Sequence, residues 1–298
     1  MRTARSLRAG LRARRFEIAS ALVRRLPWRL DPIVWWVGGA IAFVLTGSRR
    51  RIAWEHQCLA RRRPMSDPRA IAWTLRAYVS YARYYVDTLR APHAMARLLD
   101  GVEVTGHEAF LEAVGRGEGC IVALAHVGNW DVAGVWASAA GAPVTAVAER
   151  LPEASVTSFF DRLRDALGIR VVPTGVQATR ALLRTLREGG RVALVVDRDV
   201  TGSGRPGELF GRKVSVAAGP AVLSVLSGAP VYPAACYQLP GRRHLIRIWA
   251  PIMPPTQGSR EARIEELHRR VVRALERQIQ AAPSQWHNLV ADARTVTT

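Results

Sequence analysis

From residue 102 onward the chain alternates short apolar runs with helix-like stretches, and this alternation constrains the fold more than any other feature. Strand-like runs occur at Cys120–Leu124, Pro143–Ala148, Ile169–Pro173, Arg191–Val196, Val231–Tyr237 and His244–Trp249. Helical patterns lie between most of them, at Asp131–Ala140, Ala154–Leu167, Gln177–Arg187 and Val216–Leu226. Strands that take turns with helices must bury both faces of a sheet, which predicts an α/β fold. The last two runs are separated only by residues 238–243, which contain a Pro240-Gly241 turn. They read as a hairpin, so the sheet is expected to be mixed. A strongly charged final helix is expected over Ser259 to Ala281. The expected architecture is a mixed central sheet flanked by helices, residues 101–298, preceded by an amphipathic and apolar helical region, residues 1–100.

That N-terminal region has its own texture. Residues 1–30 carry nine arginines against one acid, Glu17, interleaved with Leu, Phe16, Ile18 and Val23. This is the pattern of a basic amphipathic helix at a membrane surface, with nucleic acid as the alternative partner. Pro32 to Thr46 is apolar but shorter than the ~20 residues that span a bilayer. Trp28, Trp35 and Trp36 border it on one side and Arg49-Arg50-Arg51 on the other. Such borders suit an interfacial or re-entrant helix on an anionic membrane; a buried core helix with a solvated charge run is the competing reading. The run lacks the position and cleavage site of a signal peptide. Residues 50–100 read as helical, with Trp73, Tyr78, Tyr81, Tyr84 and Tyr85 spaced for core packing.

The net charge is +19, and Lys213 is the only lysine, so the excess is arginine. Guanidinium forks suit phosphate in lipid headgroups or nucleic acid. No helix-turn-helix, RNP or zinc signature accompanies them, which argues against nucleic acid. Three scattered cysteines, Cys58, Cys120 and Cys236, predict neither a disulfide framework nor a zinc site, and point to a reducing compartment.

The chemistry concentrates around Ala123-Leu-Ala-His126-Val-Gly-Asn129-Trp-Asp131. An imidazole at a strand end can take a proton near neutral pH, and a carboxylate in the first turn of the next helix can orient it. No Ser or Cys adjoins the pair, so the group it would activate is a substrate hydroxyl. Polar residues also end the other strands: Glu149-Arg150, Thr174 and Asp197-Arg198-Asp199. Ligands of open α/β sheets gather at such ends. Gly202 to Gly207 fits G-x-G-x-x-G, but it follows Asp197–Thr201 rather than opening a helix, and no acid follows between Glu208 and Glu261. It reads as a loop, not a dinucleotide site. The acid-free span with Arg212, Lys213, Arg242, Arg243, Arg247 and Arg260 suits an anionic ligand such as CoA or a phospholipid headgroup, or a merely solvated basic face.

His126-Val-Gly-Asn-Trp-Asp131 resembles the H-x4-D block of the glycerolipid acyltransferase superfamily, in the HxxNWD form of its lipid A lauroyl acyltransferase branch. Ala148–Glu153, Val195–Asp199, Glu208–Gly211 and Pro230–Pro233 resemble that branch's later blocks. In this detail the chain is most similar to the actinobacterial phosphatidylinositol mannoside acyltransferases. The resemblance implies an acyl-CoA-dependent O-acyltransferase, peripheral or monotopic on the cytoplasmic face of the cell membrane. Its substrates would be acyl-CoA, with palmitoyl typical, and an anionic mannolipid, with no metal or further cofactor. It implies His126 as general base and Asp131 as its orienter. Asn129, Glu149, Arg164 and Glu208 would serve substrate binding, and Asp197, Arg198 and Asp199 would form a structural or headgroup-binding block. Backbone N–H groups at Gly128–Trp130 are expected to hold the oxyanion. A lipid A-type or lysophospholipid acyltransferase, a hydrolase, and a non-catalytic binder of anionic lipid stand as alternatives.

Overall fold

The computed structural model describes residues 16–148, 153–199 and 202–288. Residues 16–25 are helical and a 3-10 turn covers Trp28–Leu30. Four helices follow: α1 (Asp31–Leu45), α2 (Gly47–Ala60), α3 (Ala70–Arg90) and α4 (Met95–Leu99). Residues 1–15, half of the predicted basic arm with six of its nine arginines, lie outside the described residues. Next come β1 (Val102–Thr105), α5 (Glu108–Gly115), β2 (Cys120–Leu124), α6 (Trp130–Ala139), β3 (Val144–Ala148) and α7 (Ala154–Ala166). Then come β4 (Arg170–Pro173), α8 (Val176–Arg187), β5 (Arg191–Val195), β6 (Arg205–Leu209) and β7 (Arg212–Val216). The chain continues through α9 (Gly219–Ser227), β8 (Val231–Gln238), β9 (His244–Ile248) and α10 (Arg260–Ala281).

Seven strands form one sheet in the order β1-β9-β8-β2-β5-β3-β4. Its pairs are parallel except β8 with β9, the predicted hairpin, so the sheet is mixed as expected. The six strand-like runs all fall on strands. The sequence reading missed β1 and the separate β6–β7 pair. Part of the glycine-rich motif is therefore strand: Arg205–Gly207 belong to β6. The motif still opens no helix. The predicted helix start at Val216 is also corrected, because Val216 pairs with Arg205 and the helix begins three residues later, where Pro220 lies in its first turn.

Side chains of β2 alternate between two cores, as a pleated strand requires. Ile121 and Ala123 pack with Leu223 of α9 and with Leu267, Val271 and Leu275 of α10. Cys120 and Leu124 pack on the other face with Phe110, Val132, Val135 and Leu163 of α5, α6 and α7. Every residue of β8 is buried. These two central strands are the rigid base from which the site projects.

The helical region packs onto this base through α3. Ser80 bonds Gln238 of β8 at 2.9 Å, and Tyr84 reaches Asp131 of α6 at 2.7 Å. Helix α1 lies on α3, and its Gly39 makes the approach possible: a Cβ there would sit 2.6 Å from the Cα of Val79. A buried ion pair, Arg90 with Asp31 at 2.7 Å, ties the two helices. The other face of α1 is bare, with Ile33, Trp36, Val37, Ile41, Val44 and Leu45 each more than half exposed. The expectation that the apolar run is too short to span a bilayer is corrected: with the turn before it, the stretch Trp28–Leu45 is long and apolar enough to cross a membrane by length and composition, and 17% of it is buried. This removes the buried-core-helix reading. The expected aromatic border is reassigned: Trp35 is buried beneath Arg83, while Trp28 packs against Arg90, Arg97 and Arg242.

Candidate active site

Strands β2 and β5 are parallel neighbours in a register that pairs Leu124 with Val195. Two residues beyond these partners stand His126 and Asp197, so adjacent strand ends deliver an imidazole and a carboxylate to the same place. His126 Nδ1 lies 2.5 Å from Asp197 Oδ1, and the His126 backbone N–H donates to the same oxygen at 3.1 Å. Asp197 Oδ2 accepts from the indole N–H of Trp286 at 2.7 Å. Burial pushes the Asp197 carboxyl up, but the imidazole beside it, the two hydrogen-bond donors and the nearby Arg198 outweigh that and hold it at about 2. A charged carboxylate only accepts, so Nδ1 carries the proton and Nε2 is the basic nitrogen. Nε2 has no hydrogen-bond partner among the described residues, and the His126 side chain is 16% exposed.

The carboxylate that orients His126 is thus Asp197 and not Asp131. Asp131 is buried in the first turn of α6 and points away to another pair of partners. Its Oδ1 accepts from Arg164 Nε at 2.9 Å and its Oδ2 from the Tyr84 hydroxyl at 2.7 Å. Burial first, then the Asp131 charge, raise the Tyr84 hydroxyl well above its ordinary range. The Asp131 charge also raises the Arg164 guanidinium. Arg164, expected as a substrate ligand, spends its Nε on Asp131. Spacing misled here because Asn129 caps α6, its side-chain oxygen accepting from the Val132 N–H at 3.2 Å. The cap starts the helix between His126 and Asp131 and turns the aspartate toward α3 and α7.

The expected oxyanion donors also need correction. Gly128 N–H donates to Gln285 O at 3.0 Å and Asn129 N–H to Cys236 O at 2.8 Å. Gly128 has φ +65, and a Cβ there would lie 2.0 Å from Cys236 O, so only glycine fits. The N–H groups of Trp130 and Asp131 have no partner among the described hydrogen bonds, as the first turn of a helix dictates.

The segment after α10, residues 283–288, laces the His126 loop in place. Trp286 bridges Val127, and His287 N–H donates to His126 O at 2.7 Å. The Trp286 ring stacks on His56 of α2 at 4.7 Å. The His287 ring is held by Ser80 at 2.8 Å; burial and the nearby His126 lower it to about 3, so it is neutral. None of Trp286, His287, His56 or Tyr84 was identified as a site residue from sequence. Tyr84 was read as core, and the C-terminal pair follows no motif.

Other expected residues are dispersed. Glu149 and Arg150 lie outside the described residues. Asp199 clamps the loop after β5, accepting from Gly202 N–H at 2.7 Å and from the Ser215 hydroxyl at 2.9 Å. Arg198 is partly buried beside Asp197. Glu208 is exposed on β6 opposite Lys213 and lines a cavity distinct from the His126–Asp197 pair. The three cysteines are buried and unbridged.

A basic imidazole nitrogen backed by a buried carboxylate, at the rim of a mixed α/β sheet and beside a helix start, is equipped for proton abstraction from a hydroxyl. The chain belongs to the bacterial lipid A biosynthesis acyltransferase family, whose profile matches residues 58–292. It is therefore an acyltransferase. It is 34% identical over 215 residues to the phosphatidylinositol mannoside acyltransferase of Mycolicibacterium smegmatis, covering 70% of this chain and 68% of that one. Proteins of the same name from two strains of Mycobacterium tuberculosis are 34% identical over 217 residues, covering 70% of this chain and 66% of theirs.

Proposed function

We propose that the protein transfers a long-chain acyl group, palmitoyl by preference, from acyl-CoA to a mannose hydroxyl of a phosphatidylinositol mannoside. The observation that carries the reading is the 2.5 Å contact of His126 Nδ1 with a buried, ionised Asp197, which leaves Nε2 as a base. The relatives supply the acceptor class by their names.

In this reading Nε2 takes the proton of the mannose hydroxyl as its oxygen attacks the thioester carbonyl. The tetrahedral intermediate collapses with cleavage of the C–S bond, and the imidazolium returns the proton to the CoA thiolate. The products are the mannosyl ester and CoA, with no covalent enzyme intermediate. The oxyanion falls to the Trp130 and Asp131 N–H groups at the start of α6. Asp131, Tyr84 and Arg164 act as a buried brace for that helix start. Glu149 and Arg198 are assigned to the acceptor.

Membrane docking on the cytoplasmic leaflet is assigned to the bare face of α1, supported by its row of exposed Ile33, Val37, Ile41 and Val44 and by the arginines nearby. The test is transfer of label from palmitoyl-CoA to mono- or di-mannosylated phosphatidylinositol, for wild type and His126→Ala. Label in the mannolipid only with the wild type is expected. Free palmitate, or a His126→Ala variant with substantial turnover, overturns the reading.

A further inference from the structure

A cavity of about 460 Å³ opens between the end of α2 and the turn joining β6 to β7. Arg62, Arg63 and Arg212 line it, with Leu59, Met65 and Phe210 as its apolar surface. Arg62 (φ 52) and Phe210 (φ 55) are the two non-glycine residues with positive φ among the described residues, and both face this cavity. L side chains disfavour that backbone region, and such residues persist where the surroundings hold them. Arg62 follows α2 at the position where helices commonly place glycine. One carboxylate holds both residues: Glu276 Oε1 accepts from Arg62 Nη2 at 3.2 Å, and its Oε2 from Phe210 N–H at 3.0 Å.

The charge balance favours an anion. Of the two lining acids, Glu55 pairs with Arg51 at 3.3 Å, while Glu208, in register with Lys213 across the β6–β7 ribbon, has no ion pair among those described and offsets one of the lining arginines, which still leaves the lining net positive. Arg63 and Arg212 have no ion pair among those described. Arg212 lies in a stretch of sequence, Leu209 to Arg260, that contains no acidic residue. Guanidinium forks match phosphate oxygens, and Leu59, Met65 and Phe210 supply apolar lining beside them. The cavity also backs onto the reaction centre. The Phe210 ring lies 6.0 Å from that of Trp286, whose indole N–H holds Asp197.

We propose that this cavity binds a substrate's phosphate ester, with the phosphate on Arg63 and Arg212 and the attached ring against the apolar lining at Leu59 and Met65. Which substrate supplies it rests on the acyl-transfer reading: the nucleotide end of the thioester donor, or the inositol phosphate of the acceptor. The probes are adenosine 3′,5′-bisphosphate, myo-inositol 1-phosphate and inorganic phosphate, titrated calorimetrically into the full chain in detergent. The proteins are wild type, Arg63→Ala/Arg212→Ala, and Arg187→Ala on the exposed surface of α8 as a control.

One organic phosphate is expected to bind the wild type and the control alike, and the double variant about tenfold or more weakly. Preference for the bisphosphate assigns the donor; preference for the inositol phosphate assigns the acceptor. Equal affinity in wild type and double variant, no binding of any probe, or no gain of either organic phosphate over inorganic phosphate overturns the proposal. The titration needs no turnover. A wild type that binds the probe but transfers no acyl group would sink the acyl-transfer reading and leave the site standing.

Discussion

Replacing Asp197 by asparagine keeps the side-chain shape and removes its charge. In the wild type one carboxylate serves three donors: His126 Nδ1–H, the His126 backbone N–H and the Trp286 indole. An amide offers one oxygen, so it satisfies either the ring and backbone of His126 or the indole, and its NH2 then meets a further donor. During transfer His126 becomes an imidazolium whose charge centre lies about 4 Å from the carboxylate. At an effective dielectric near 20 that attraction is worth about 4 kcal/mol, or about 10³ in rate. Loss of tautomer control adds to this, and the corresponding change in a Ser-His-Asp triad costs about 10⁴. For Asp197→Asn, kcat is expected to fall about 10³- to 10⁴-fold with KM little changed, measured by initial rates of palmitoyl transfer to a mannolipid. The unsatisfied donor costs about 1–3 kcal/mol of stability, so the variant remains folded with a lowered Tm. Asp131→Asn, which loosens the Arg164–Tyr84 brace, is expected to lose stability with a smaller loss of rate. An Asp197→Asn enzyme keeping more than about a tenth of wild-type kcat, beside a dead but folded Asp131→Asn, would refute this assignment.

Trp286→Phe keeps a ring on His56 and Phe210 but deletes the donor to Asp197. We expect kcat to drop about tenfold, while circular dichroism stays unchanged. A wild-type rate would show that the indole is only packing. His287 is neutral in the fold, held down at about 3 by burial and by His126, against about 6.5 in the unfolded chain. The unfolded chain therefore binds the extra proton between these values. Stability should fall as pH drops from about 6.5 toward 3, by a few kcal/mol at the low end. His287→Gln should flatten the dependence of Tm on pH in that window, and an unchanged slope would contradict the assignment. Ile33→Ser/Val37→Ser/Ile41→Ser strips three exposed apolar groups worth about 1.5 kcal/mol or more each when buried in lipid. Its sedimentation with anionic liposomes should weaken about 100-fold or more, with folding intact; undiminished sedimentation would place the membrane contact elsewhere.

Much of the architecture was readable because it follows from local apolar patterning. The runs Cys120–Leu124, Arg191–Val195 and Val231–Gln238 are strands because they are apolar on both faces, and both faces are covered by helices. The Pro240-Gly241 turn likewise announced the antiparallel β8–β9 pair. His126 was legible for the same reason, as a titratable residue just past an apolar strand with a glycine and a helix start behind it. The β6–β7 pair escaped because its residues, Arg205 to Leu209 and Arg212 to Val216, include Pro and Gly and form a two-stranded ribbon outside the main sheet.

The partner of His126 was not legible, and the reason is topological. Asp131 is five residues away in sequence, but the Asn129 cap turns it toward Tyr84 and Arg164. Asp197 is 71 residues away and arrives only because β5 pairs with β2 in parallel register, which sets both strand ends at one level. Trp286 and His287 come from still farther, carried back over the sheet by α10. Local patterning determines which segments become strands and helices and where a polar residue may stand at their ends. Strand order and register determine which of those polar residues meet, and in this protein that choice joins His126 to Asp197 rather than to its near neighbour.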